Sequence, residues 1–141
     1  MRAKGPKLFL LLDRASHAVR QRLERRAREE LDASMVQVGA LFHLAAHDGC
    51  LAKELAEALG IQPAGVSGLV DRMEAGGLVQ RKACAEDRRA QRLHITPAGK
   101  RAVTRALPMV GKMQGALIDG FTDAEIAIVV RFLEAATERE L

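Results

Sequence analysis

The side chains with most chemistry to offer stand in a short charged run, Glu86-Asp87-Arg88-Arg89, with Arg92 three positions on. Guanidinium groups hold phosphate through charge-assisted hydrogen bonds and enter narrow minor grooves, where the negative potential of DNA is deepest. Upstream, Gln62, Ala64, Gly65, Ser67, Gly68 and Arg72 share the outer side of a helical pattern. Few of them can hydrogen-bond, so that side suits close backbone approach and shape readout as much as base-edge contacts. His43 and His47 stand at i, i+4, a spacing that can chelate zinc or another transition metal, with Asp48 and Cys50 nearby. The intervening residues lack the glutamate of the HExxH metalloprotease motif. The chain also has no phosphate-cradling glycine loop, nucleophile elbow or motif-placed carboxylate pair, so neither an enzyme nor a cofactor is expected. Cys50 and Cys84 have no CxxC spacing, and reduced thiols in a cytosolic setting are the expectation.

The elements that must position these groups are legible in the periodicity. Leu51, Leu55 and Leu59 repeat at helical spacing and Gly60 stops them. Pro63 suits the first turn of a second helix, striped by Val66, Leu69, Val70 and Met73 and ended by Gly76-Gly77. The period then becomes near-alternating. Leu78–Cys84 and Gln91–Ile95 read as the strands of a hairpin with the charged run at its tip. Helix, turn, helix and basic-tipped hairpin make a winged helix-turn-helix. Around it, residues 7–30 form a long first helix, and Ser34 caps a second at about 34–47. Thr96-Pro97 opens a long helix in which Pro108 predicts a bend, and Thr122-Asp123-Ala124-Glu125 is a capping box for the last helix. The fold class is therefore mainly α with a small β-hairpin wing, as a single domain over 1–141. The winged helix-turn-helix occupies about 34–96, and dimerisation helices occupy about 7–30 and 97–141.

Composition sets the wider frame. The 48% apolar fraction over 141 residues supports a packed core. No apolar run reaches the roughly 18 residues of a membrane helix, so no membrane partner is expected. The basic start, Met1 to Pro6, is followed by only a short apolar patch, Leu8–Leu12, which is no signal sequence, and the chain is expected in the cytoplasm. The net charge of +4 is unevenly spread. Residues 72–105 hold nine basic and three acidic side chains, whereas residues 121–141 hold two and five. A phosphate-facing surface requires such a concentration. The apolar positions of the first and last two helices exceed what the winged domain can cover, which predicts a homodimer about a two-fold axis.

Three segments carry a family resemblance. The run LVDRMEAGGLVQR (69–81), the Asp87-Arg88-Arg89 tip and the exit LHITPAGK (93–100) together resemble the multiple antibiotic resistance regulator (MarR) family, across nearly the whole chain. The resemblance implies a homodimeric, DNA-binding transcriptional regulator, most often a repressor, on a pseudo-palindromic double-stranded operator. Arg89 then occupies the family's Asp-x-Arg position in the minor groove, with Asp87 orienting it by a charge-assisted hydrogen bond, while Arg88 and Arg92 meet phosphates. It also implies release by a small aromatic acid or phenol, bound in a cleft between the dimerisation helices and the winged domain, for which His17, His43, Met109 and Met113 are the candidates. The alternative is a regulator of the same type that responds to a metal at His43/His47 or to thiol oxidation at Cys50 or Cys84.

Overall fold

The computed structural model describes residues 7–87 and 89–141; Met1–Pro6 and Arg88 lie outside the described residues. The described chain forms two compact units, divided between Met109 and Val110, one residue past Pro108.

The first unit opens with α1 (Leu8–Leu31), of which only Ala27 is buried. Asp32 ends this helix in the left-handed region, φ 51°, so that its N–H and that of Ala33 close on the carbonyls of Arg28 and Ala27. Ser34 then caps α2 (Met35–Ala46) in a full capping box: Ser34 Oγ accepts from Gln37 N at 3.2 Å, and Gln37 Oε1 accepts from Ser34 N at 3.2 Å. Glu24 of α1 also accepts from Met35 N at 3.2 Å, which fixes the turn between the two helices.

A two-residue strand, β1 (Cys50–Leu51), follows where the sequence predicted only a helix stop. Leu51 is accordingly the N-cap of α3 (Ala52–Leu59) and not a member of it. Gly60, at φ 65°, turns the chain, and α4 (Pro63–Ala75) begins on the proline that the sequence marked. The hairpin comprises β2 (Val79–Ala83) and β3 (Gln91–Ile95), in the register Val79↔Ile95 to Ala83↔Gln91. With β1 antiparallel to β3, the sheet order is β1-β3-β2.

One face of α4 closes the core. Val66, Leu69, Val70 and Met73 pack with Leu44 of α2, Leu55 of α3, Val79 of β2 and Leu93 of β3, all at most 2% exposed. Burial of a side chain of this size stabilises by about 1.5–3 kcal/mol, so this contiguous cluster is what sets the winged domain's geometry. From Pro97 the chain continues as α5 (Pro97–Ile118), which runs on through Pro108.

The second unit holds the end of α5 and α6 (Asp123–Glu138). The capping box read from the sequence closes as drawn: Thr122 Oγ1 accepts from Glu125 N at 3.2 Å, and Glu125 accepts from Thr122 N at 3.0 Å, which lowers the pKa of the Glu125 carboxyl. Within this chain α6 buries none of its residues, and Ile128, Val129, Val130, Phe132 and Leu133 are exposed.

Candidate nucleic-acid interface

Because the apolar stripe of α4 faces the core, the opposite side must face solvent. Gln62, Ala64, Gly65, Ser67 and Arg72 are exposed along it, and Gly68 is half-buried. The surface is as small as the sequence implied. A side chain at Gly65 would meet only Ile61 Cδ1, at 4.0 Å, and one at Gly68 would meet Arg72 Nη1 at 3.5 Å. Both are ordinary van der Waals distances, so a small side chain would fit at either glycine.

The wing tip is closed by its own backbone. Cys84 N donates to Ala90 O at 3.1 Å and Ala90 N to Asp87 O at 3.0 Å. Asp87 was expected to hold the Arg89 guanidinium, but its carboxylate instead accepts the Arg89 backbone N–H, at 2.9 Å. An aspartate bonding the amide two residues on forms a side-chain-closed turn, so Asp87 shapes the tip rather than aiming the arginine. The Arg89 side chain is exposed and has no ion-pair partner among the described residues. Arg88 falls outside the described residues. Arg92 is engaged internally: Nη1 donates to Gly49 O at 2.9 Å, and Nη2 lies 3.6 Å from Glu86. Its first task is to tie β3 to the loop before β1.

That loop has a second tie. Asp48 Oδ1 accepts from Ile95 N at 2.8 Å, and Oδ2 lies 3.4 Å from His94 Nδ1. The backbone N–H of Ile95 holds the Asp48 carboxyl below its ordinary pKa, assisted by His94 and by the charge of Lys100 and opposed by partial desolvation.

Sequence reading missed Arg81 as anything but another cation. From β2 its guanidinium reaches Asp71 Oδ1 at 2.6 Å, Glu74 Oε1 at 3.1 Å and Ser67 O at 3.2 Å, all on α4. The signal available in the sequence was the pair of carboxylates at i, i+3 within 69–81, on a helix adjoining the strand that carries Arg81.

A cleft of about 270 Å³ opens beside this surface, walled by Leu31, Val38, Leu41, Leu78, Ala102 and Val103, with Asp32, Gln37, Arg72 and Arg105 supplying polarity. His17, His43 and Met109 do not line it, and Met113 belongs to the second unit. His17 is exposed, Met109 is core at 3% exposure, and His43 stacks against His47 with ring centroids 4.7 Å apart. Among the described residues no group of three or more His, Cys, Asp or Glu side chains is placed to hold a metal ion. Cys50 and Cys84 are free and buried. Burial raises the pKa of the Cys50 thiol, with the nearby charges of Glu54 and Asp48 adding to it, so little nucleophilic thiolate is present at neutral pH.

An exposed second helix of a helix-turn-helix, flanked by an arginine-tipped hairpin, defines the winged helix-turn-helix class. Comparison with known proteins narrows the class. Residues 31–90, the segment holding α2 to the wing tip, match the model of the MarR family. Nearly all of the chain superposes on solved structures: BpsR of Bordetella bronchiseptica (TM-score 0.86, 22% identity, covering 96% of this chain and 100% of that one); MepR of Staphylococcus aureus in complex with DNA (0.84, 23%, 95% and 98%); and a MarR family transcriptional regulator of Streptomyces coelicolor, also in complex with DNA (0.83, 21%, 97% and 94%). The matched segment is thus similar to the MarR family, and the fold around it is the one that these solved structures share. No helix among the described residues is long and apolar enough to cross a membrane.

Proposed function

We propose that this protein is a cytoplasmic, homodimeric, sequence-specific DNA-binding repressor, released by a small aromatic acid or phenol. The observation that carries the DNA-binding part is the pairing of one exposed helix side, Gln62 to Arg72, with a wing tip whose Arg89 has no carboxylate partner among the described residues. Phosphate contacts from such arginines position the protein, and the α4 side chains and backbone read groove edges and shape. MepR and the Streptomyces coelicolor regulator, solved in complex with DNA, support this reading. A dimer is supported by the apolar residues that this chain leaves exposed, Phe9 and Leu10 on α1 and Ile128, Val129, Val130, Phe132 and Leu133 on α6. A two-fold pair would read two half-sites roughly 10 base pairs apart.

The effector reading is supported by the cleft beside α4. Aliphatic walls, with two arginines against the single carboxylate of Asp32, suit a small planar organic anion. Arg72 belongs both to the cleft and to the DNA-facing helix, so an anion held there would draw Arg72 away from phosphate. BpsR, whose DNA binding is regulated by 6-hydroxynicotinic acid, offers a parallel.

The test begins with enrichment of duplexes from a random-sequence pool, followed by affinity against salt. A repressor of this kind enriches a pseudo-palindrome, and its log affinity falls with log salt at a slope of about −0.9 per phosphate contacted. Enrichment of nothing, with no salt dependence, would refute the reading. A thermal-shift screen with aromatic acids, phenols and divalent metals then tests the effector, because a ligand that binds only the folded protein raises its apparent stability.

A further inference from the structure

We propose that Arg81 is a positioning residue of the DNA interface, a clasp that fixes the wing against the recognition helix and makes no phosphate contact itself. The inference rests on the DNA-binding reading above. Four bonds tie this one residue to α4. The guanidinium meets Asp71 at 2.6 Å, Glu74 at 3.1 Å and the Ser67 carbonyl at 3.2 Å, and its backbone N–H donates to the second Glu74 oxygen at 3.0 Å. Guanidinium presents five donors in a rigid planar fork, so one group can satisfy three acceptors on a helix face and fix an angle as well as a distance. The side chain is only 20% exposed.

Charge makes the same case. Arg81 with Asp71 and Glu74 carries a net charge of −1, on a surface that otherwise gathers positive charge for a polyanion. Two carboxylates there oppose DNA binding electrostatically, so their contribution has to be geometric. That contribution is leverage. Arg81 pairs with Leu93 at mid-strand, and the chain from it runs out to the Arg89 tip. At about 3.3 Å per residue, the end of the strand and the tip beyond it stand ~10 Å or more from the clasp, so a rocking of ~10° displaces the tip by about 2 Å. Ser67, whose carbonyl the clasp grips, is on the reading side of α4. The clasp therefore sets the reach between the groove entered by α4 and the groove entered by Arg89.

The discriminating experiment removes the carboxylates. The double variant Asp71→Asn/Glu74→Gln leaves Arg81 in place, makes the surface more positive and, because both carboxylates are well exposed, leaves the fold intact. Binding is read by fluorescence anisotropy on the duplex that the wild type enriches and on a scrambled duplex of the same length. The clasp predicts about tenfold weaker binding to the enriched duplex together with unchanged or tighter binding to the scrambled one, where only charge counts. Arg81→Lys keeps the charge but not the fork, and is expected to lose as much on the enriched duplex as Arg81→Met, with the salt slope of neither variant changed. Tighter binding of the double variant to the enriched duplex overturns the clasp, as does a fall of about 1 in the salt slope of Arg81→Met, which marks a lost phosphate contact. A wild-type protein that enriches no sequence overturns the DNA-binding reading, and the clasp's role falls with it.

Discussion

Gly99 gives the most stringent test of the packing, because the same substitution is expected to act in opposite directions at two glycines. Gly99 lies in the first turn of α5, buried against Leu78 in the turn between α4 and β2 and against Ile95 of β3. A Cβ there would be driven into the Leu78 carbonyl oxygen and would stand 2.6 Å from Ile95 Cγ1. Leu78 cannot simply withdraw, since its carbonyl accepts from Thr96 N at 3.0 Å, and Thr96 Oγ1 both donates to Gly77 O at 2.7 Å and accepts from Gly99 N at 3.0 Å. In an open helix Gly→Ala gains about 1 kcal/mol. Here overpacking against backbone costs about 3 kcal/mol, at the upper end for inserted methyl groups. Displacing the Thr96–Leu78 bond costs about 1 kcal/mol more. The net is a destabilisation of about 3 kcal/mol, or a fall of roughly 8 °C in Tm for a chain of this size. At Gly65, where the nearest atom is 4.0 Å away, Gly→Ala is expected to raise stability by about 0.5–1 kcal/mol. Calorimetry on both variants at one fixed protein concentration, since the Tm of the proposed dimer would depend on it, decides the matter. A Gly99→Ala protein as stable as the wild type would show that the close approach of α5 to the α4–β2 turn is not there.

Three further outcomes are expected. Arg89→Ala weakens binding to the enriched duplex by about tenfold or more, measured by anisotropy, and unchanged affinity would remove the wing from the interface. Asp48→Ala leaves Ile95 N–H without its acceptor and lowers stability by about 1 kcal/mol at neutral pH. Because the folded Asp48 pKa is depressed, that contribution is fully present above the unfolded value, about 3.9, and is lost as pH falls through the lower folded value. The gap between wild type and variant in urea melts should therefore narrow as the pH falls below about 4; a gap undiminished in stronger acid would contradict the assignment. Cys50, buried and held protonated, is expected to react with a thiol reagent only after unfolding; rapid labelling of the native protein would reopen the redox alternative.

What could be read from the sequence was what is local. Pro63 and the Gly76-Gly77 pair bound α4 because one fixes φ and the other accepts turn conformations, and neither effect needs a distant partner. The strands of the hairpin showed through their change of period, and Thr122 with Glu125 through the spacing of a capping box. Strand β1 escaped because two residues have no period; Leu51 fitted the leucine repeat of α3 in spacing yet pairs with Arg92 of β3. The candidate interface divides along the same line. Residues 62–72 and the tip could be listed from the sequence since each lies on one element. The Arg81 clasp and the cleft could not, because Arg81, on a strand, meets acceptors 7 to 14 residues away on a helix, and the cleft joins residues from Leu31 to Ala106. His43 and Met109 looked available because helical spacing says which side a residue takes but not what packs upon it.

Under the proposed DNA-binding function, the same long-range contacts would let a surface as bare as that of α4 discriminate between sequences. With Gly65 and Gly68 where longer polar side chains could reach bases, few hydrogen bonds to base edges are on offer, and each good one is worth only about 1–3 kcal/mol of discrimination. Specificity must then come from shape, from the width of the groove at Arg89 and the bend that lets α4 and the wing enter together. Shape is read only by a rigid reader. The winged unit supplies that rigidity through Arg81 against α4, Arg92 and Asp48 holding β3 to the β1 loop, and the Thr96–Gly99 turn locked onto Gly77 and Leu78. Loosening any of these ties should therefore reduce discrimination between the enriched and scrambled duplexes more than it reduces affinity for DNA as such. Removing Arg89 should lower both.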